Sequence, residues 1–226
     1  MARCDVWWAG LELARPWHLD LLNDTERARR ERLRLAADRD RFALGAALVR
    51  LIVERLTGQP AAAVPVDRTC PTCGGPHGRP IVADSGVRLS VSHSGDWVAV
   101  AVSETTDLGV DVEQISDADI AMLAPTVLSP SESAAALGRH DFFQAWTRKE
   151  AVVKATGDGL SVPLAEVVIG ESDDGAPTVI AYPGRRRLAA QLVDLDQRDG
   201  HVAALAALTD NPIEVVELSA EELLGD

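Results

Sequence analysis

The chain has 226 residues, 46% hydrophobic and 25% charged. That is enough to bury a substantial core in one large domain or two small ones, and too apolar for global disorder. A formal net charge of −13 argues against general nucleic-acid binding. No apolar run approaches the ~20 residues of a membrane span, and the start Met1-Ala-Arg-Cys-Asp-Val-Trp-Trp holds no long apolar signal region. Three cysteines, an odd count, fit a reducing cytoplasm better than a disulfide framework.

In chain order, Val6 to Leu13 reads as a first strand. Leu21 to Ala37 reads as a helix rich in cations, and residues 27–41 hold Arg27, Arg29, Arg30, Arg32, Arg34, Arg39 and Arg41. Such a basic patch on an acidic protein suits a small phosphate-bearing ligand, or else is a solvated helix face. Asp38 to Leu56 is a stronger helix, with Leu44, Leu48, Leu51 and Ile52 on one face and Gly58 as its stop. Residues 57–80 are punctuated by Gly, Pro and Thr and read as loop. There Cys70-Pro-Thr-Cys73 and His77 invite a zinc reading. A structural zinc site takes four ligands and no second Cys-x-x-Cys exists, so the residues alone weigh against it.

Val87–Val91 and Val98–Ser103 read as paired strands around the turn signal Ser94-Gly-Asp. The first ends in Ser92-His93-Ser94, two hydroxyls and a switchable donor. Gly109–Glu113 is another strand. Its alternation puts Asp111 and Glu113 on one side, about 6–7 Å apart at Cα, and like charges so placed need water, a shared proton or a cation. Ile120–Leu123 and Ser131–Leu137 are short helical pieces, with Ser129 as an N-cap and Glu132 as the capping-box acid.

Asp141–Ala155 is a helix ended by Gly157, and it carries the chain's only lysines, Lys149 and Lys154. Trp146, Glu150 and Lys154 fall at i, i+4 and i+8 on one face. Lys149 points about 100° away, toward the cleft rim or an arm of the ligand, and its replacement by arginine is expected to be the milder of the two. Glu150 and Lys154 make an ordinary helix ion pair, or Glu150 joins Asp111 and Glu113 in a three-carboxylate site of the kind Mg²⁺ prefers. Strand-like runs follow at Ala165–Ile169, Thr178–Ala181, Leu188–Leu195 and Val202–Leu208. Helices then strands, twice over, point to α+β with two related halves, 1–106 and 107–226. No G-x-S-x-G elbow, Walker motif or Gly-rich dinucleotide loop is present.

Six elements in this order carry a resemblance: Arg41-Phe-Ala-Leu-Gly45, Gly78-Arg-Pro80, Ser92-His-Ser94, Gly109-Val-Asp-Val-Glu113, Ser129-Pro-Ser-Glu132 and Trp146-Thr-Arg-Lys-Glu-Ala151 with Lys154. Together they resemble the Sfp-type 4′-phosphopantetheinyl transferases over nearly the whole chain. The resemblance implies a pseudo-dimeric fold of two similar α+β halves with the active site between them. It implies transfer of 4′-phosphopantetheine from coenzyme A to a serine of an apo acyl, polyketide or peptidyl carrier protein, with release of adenosine 3′,5′-bisphosphate. By the same resemblance Asp111, Glu113 and Glu150 would hold Mg²⁺, and Glu132 would take the serine proton. Lys154 would meet the phosphate and leaving group. Arg29, Arg41, Arg79, Ser92 and His93 would bind coenzyme A, with Arg29 and Arg41 toward its 3′-phosphate. A cytoplasmic monomer without nucleic-acid or membrane partners is expected. Leu89 and Phe42 depart from the family pattern, and Glu26 stands in the basic stretch where a cation would be expected. A Mg²⁺-dependent phosphohydrolase and a non-catalytic carrier-docking module are the competing readings.

Overall fold

The computed structural model describes residues 1–132 and 137–225. Strand β1 spans Ala2–Gly10, starting earlier than Val6 and giving way to a 3₁₀ turn at Leu11–Leu13. The single helix expected over Leu21–Ala37 is broken. Pro16–Leu21 is a 3₁₀ turn, α1 spans Asp24–Arg32, and α2 spans Ala36–Thr57. Local chemistry explains the break. Asn23 caps α1 by accepting the Glu26 N–H at 2.9 Å, and Glu26 returns the bond to the Asn23 N–H at 3.1 Å. Leu33 then leaves the helix and packs beside Phe42, Ala43 and Ala46.

Strands β2 (Val66–Asp67) and β3 (Ile81–Val82) pair across the predicted loop. β4 (Arg88–Ser94) and β5 (Trp97–Ser103) form the expected hairpin, and β6 covers Leu108–Gln114. α3 spans Ile120–Val127 and α4 Arg139–Thr156. The helical piece expected over Ser131–Leu137 lies mostly outside the described residues. β7 (Val168–Glu171), β8 (Pro177–Ala181), β9 (Gln191–Asp194) and β10 (His201–Ala207) lie on or beside the predicted runs. A last strand, β11 (Ile213–Ser219), and a short helix, α5 (Glu221–Leu224), lie beyond the last strand expected from the sequence.

The sheets run β11-β1-β5-β4 and β6-β10-β9, with β2-β3 and β7-β8 as two-stranded ribbons. Both main sheets carry one helix on an outer face. On α2, Leu44, Leu48, Val49 and Ile52 pack against Trp7, Val98, Val100 and Val102. On α4, Ala151, Val152 and Ala155 pack against Leu192, Ala204 and Ala206. The inner faces meet through Val6, Trp8, Ala99 and Ala101 from the first sheet and Leu108, Val110, Val112, Ala203 and Leu205 from the second. Strict alternation makes this layering possible, because successive residues of β5 and β10 serve opposite cores, and those of β6 a core and the site. The architecture is α+β, as expected. β11 pairs parallel with β1, from Ala2 opposite Ile213 to Trp8 opposite Ser219, so the C-terminal chain crosses the line between residues 106 and 107 and completes the first sheet.

Glu26 also finds its explanation here. Its carboxylate is only 3% exposed and takes both guanidinium nitrogens of the buried Arg50, at 3.2 and 2.6 Å, with Arg68 at 3.8 Å. Burial pulls Arg68 down to about 10 even with Glu26 nearby. Glu26→Ala would strand two cations and remove half of the capping box, so unfolding free energy should drop by about 3–5 kcal/mol. Thermal unfolding measures it, and a loss under about 1 kcal/mol would show that the pair contributes nothing.

Candidate active site

The site is built on the seam between the two main sheets, where β4 lies alongside β6 without a backbone ladder. On β4, Leu89 and Val91 face α2, so Ser90, Ser92 and Ser94 face the other way. Their hydroxyls substitute for carbonyls. Ser90 Oγ accepts the Val110 N–H at 3.1 Å, Ser92 Oγ that of Val112 at 3.3 Å, and Ser94 Oγ that of Gln114 at 3.0 Å. Two of the hydroxyl protons go to the carboxylates between those amides: Ser92 donates to Asp111 Oδ1 at 2.8 Å and Ser94 to Glu113 Oε2 at 2.9 Å. The serine row therefore sets the register of β6 and aims both acids. Sequence reasoning singled out Ser92 as a ligand contact and passed over Ser90. A row of serines at every second position of an otherwise apolar strand was the available signal.

Helix α4 lies directly on β6 because position 109 has no side chain. A Cβ there would stand 2.1 Å from the Ala151 carbonyl oxygen and 2.4 Å from the Ala155 nitrogen. This approach brings Lys154 onto the strand. Its Nζ donates to Asp111 Oδ1 at 2.6 Å and to Ser92 Oγ at 2.9 Å, so the ion pair it makes crosses between elements and is not the helical pair with Glu150.

Around that ammonium the acids are under strain from one another. Asp111 is 3% exposed, and its Oδ2 is buried without a donor. Burial and the Asp111 charge push Glu113 up to about 7, and the same two causes raise Glu150. The carboxylates of Asp111, Glu113 and Glu150 do not close to within 4.8 Å of one another. An orphaned carboxylate oxygen and two acids held against ionisation suit a hard cation that brings water and phosphate oxygens of its own. The donor set fits Mg²⁺.

One imidazole and three guanidinium groups complete the set of candidate residues. Desolvation, then the Lys154 and Arg41 charges, push His93 down to about 4, although the residue is exposed at the surface. The ring is therefore neutral at pH 7 and offers a hydrogen bond rather than a charge. Arg41 is braced by Asp38 and the Gly95 carbonyl. Arg79 is tied to Asp107 Oδ1 at 2.9 Å. Arg29 donates to the Pro76 carbonyl at 3.0 Å and lies over the Phe42 ring, 5.3 Å from its centroid; the unusual Phe42 is thus the shelf for this guanidinium. Ser92 is buried and its hydroxyl is taken by Asp111, Val112 and Lys154.

Lys149 corrects the sequence reading. It does not face the cleft rim; it is fully buried and donates to the Val127 carbonyl at 2.8 Å, Glu132 Oε2 at 2.5 Å and the Leu164 carbonyl at 3.3 Å. Burial lowers its pKa. Glu132 also accepts the Ser129 N–H at 2.7 Å on the same oxygen, as its capping role predicted. An arginine at 149 would have to fit its wider fork into a filled space, so that substitution is no longer the mild one.

Asp111 held by Lys154 and Ser92, with Glu113 and Glu150 raised beside it, is chemistry suited to a metal-assisted site for phosphate esters. Residues 107–206 match the family described as the 4′-phosphopantetheinyl transferase superfamily. The chain is 31% identical over 196 residues to 4′-phosphopantetheinyl transferase HetI of Nostoc sp., covering 82% of this chain and 78% of that protein. It is 33% identical over 161 residues to 4′-phosphopantetheinyl transferase psf-1 of Bacillus pumilus, 68% of this chain and 66% of that one. To Sfp of Bacillus subtilis it is 27% identical over 156 residues, 66% of this chain and 68% of that one. The chain belongs to the 4′-phosphopantetheinyl transferase superfamily.

Proposed function

We propose that this chain transfers the 4′-phosphopantetheine group of coenzyme A to a serine of an apo carrier protein of fatty-acid, polyketide or peptide synthesis, at the seam of β4, β6 and α4. The observation that supports it most is the Lys154 ammonium bridging Asp111 and Ser92 beside the orphaned Asp111 Oδ2. Asp111, Glu113 and Glu150 would hold Mg²⁺, which supplies charge neutralisation at the pyrophosphate. His93, Arg41, Arg29 and Arg79 orient the nucleotide and its phosphates. Glu132 takes the proton as the serine oxygen bonds to phosphorus and the pyrophosphate P–O bond breaks. Lys154 meets the charge that develops on the departing adenosine 3′,5′-bisphosphate. No described helix is long and apolar enough to cross a membrane.

Incubation with coenzyme A, Mg²⁺ and an apo carrier protein, followed by weighing the carrier, tests the reading. A phosphopantetheine-sized gain is the expected result. Coenzyme A breakdown without carrier would make the protein a hydrolase, and binding without chemistry a docking module.

Metal binding should carry a pH signature. Glu113 is raised from 4.5 to about 7, so the metal-free fold loses stability as pH rises through about 7 and Glu113 ionises beside Asp111. A cation competes with that proton. The rise in melting temperature caused by Mg²⁺ should be small near pH 5.5, grow through about pH 7 and then level off. A Mg²⁺ effect of constant size across that range would exclude Glu113 as a ligand.

Glu132→Gln separates the base from the counter-ion. Glutamine can still cap Ser129, but it leaves Lys149 without its anion. Turnover should fall by about a hundredfold or more with coenzyme A affinity changed little, and the melting temperature should also drop. Normal turnover with only the melting change would reduce Glu132 to a partner for Lys149.

A further inference from the structure

Among the described residues, one group of metal-type ligands does converge, and it lies outside this site. Cys70 Sγ, Cys73 Sγ and a His77 ring nitrogen are all within 4.8 Å of one another, with Cys73 Sγ 2.9 Å from His77 Nε2. Tetrahedral zinc, about 2.3 Å from sulfur and about 2.0 Å from nitrogen, holds its ligands roughly 3.5 Å apart. Small side-chain rotations would suffice. The backbone is already wound around the point. The Cys70 N–H donates to the Gly75 carbonyl at 2.8 Å and the Gly74 N–H to the Cys70 carbonyl at 2.9 Å. The Gly75 N–H donates to Cys73 Sγ at 3.4 Å. Gly74 takes φ +71, and a Cβ on Gly75 would stand 3.3 Å from Cys73 Sγ and 3.2 Å from His77 Nε2, in the space where these ligands meet.

The loop has only polar anchors besides this. Between Val66 and Pro80 no apolar side chain is buried, so no apolar core offsets the entropy of ordering it. What fixes it is polar contact: within the loop, from Gly78 N–H to the Arg68 carbonyl at 2.7 Å, and to α1 through Arg29 and through Arg68, 3.8 Å from Glu26. We infer that Cys70, Cys73 and His77 bind one Zn²⁺, with water in the fourth position, as a staple for the loop that leads into Arg79. Binding displaces the two thiol protons and leaves a neutral centre of two thiolates, one imidazole and Zn²⁺. The staple does not depend on the transfer reaction proposed above.

Cobalt tests this without any activity measurement. The full chain, reduced and stripped of metal, is titrated with Co²⁺. The expected result is one equivalent with thiolate-to-cobalt charge-transfer and tetrahedral d–d absorption, both bleached by Zn²⁺, and a melting temperature raised by Zn²⁺. The carboxylate site cannot produce the thiolate band. Cys73→Ser and His77→Ala change exposed side chains, so both variants should fold, and each should weaken Co²⁺ binding by about tenfold or more. Absence of the thiolate band would overturn the inference. So would a band of full strength in Cys73→Ser, or recovery of a Cys70–Cys73 disulfide from protein kept with excess Zn²⁺.

Discussion

Asp111→Asn should lower carrier modification by about a thousandfold, roughly 4 kcal/mol of transition-state stabilisation, in a protein that stays folded. Asparagine fills the same space and can keep Oδ1 for Ser92 and Lys154. It turns Oδ2, the buried oxygen without a donor, into an NH₂ with the wrong polarity for a cation. It also takes the counter-charge from Lys154, whose ammonium then meets the leaving group from a different position. Stability should respond the other way or not at all. Glu113 is raised partly by the Asp111 charge, so removing that charge relieves the repulsion and offsets what the Lys154 pair loses. The measurement is the mass of the carrier protein over time with Mg²⁺ saturating, beside thermal melts in chelator. Activity within about tenfold of the unaltered chain would take Asp111 out of the site.

Gly109→Ala should be the most damaging single methyl in the chain. The added carbon would meet backbone on both sides, the Ala151 carbonyl and the Ala155 nitrogen, and neither can rotate away as a side chain would. Either α4 lifts from β6 or the strand buckles. The cost should be about 3 kcal/mol or more, seen as a fall in melting temperature of about 6–12 °C for a chain of this size. The folded fraction should lose transfer as well, because α4 carries both Glu150 and Lys154 and its lift breaks the Lys154–Asp111 contact. Wild-type melting and turnover together would refute the close-packing account.

Much of the site was legible because its chemistry is written in short segments. The alternation of Asp111 and Glu113 with buried Val110 and Val112, and the i, i+4, i+8 row of Trp146, Glu150 and Lys154, are properties of one strand and one helix. Both were read correctly as local geometry. The start of α1 at Asp24 was missed because the arginine-rich composition outweighed the Asn23–Glu26 cap. β11 was missed because Glu214 and Glu217 interrupt its apolar residues Ile213, Val215, Val216 and Leu218, which need β1 beside them to count as a strand.

Periodicity by itself determined which side chains share a face and which acids crowd each other, since these depend on backbone spacing within a few residues. Only the tertiary structure decided their partners. Lys154 reaches Asp111 and Ser92 instead of its helical neighbour, Lys149 is buried on Glu132, and a row of serines stitches two sheets together. The physical reason is that a charge or hydroxyl chooses its partner by proximity and desolvation. In this fold both were set by α4 settling onto a strand whose position 109 has no side chain to hold it off.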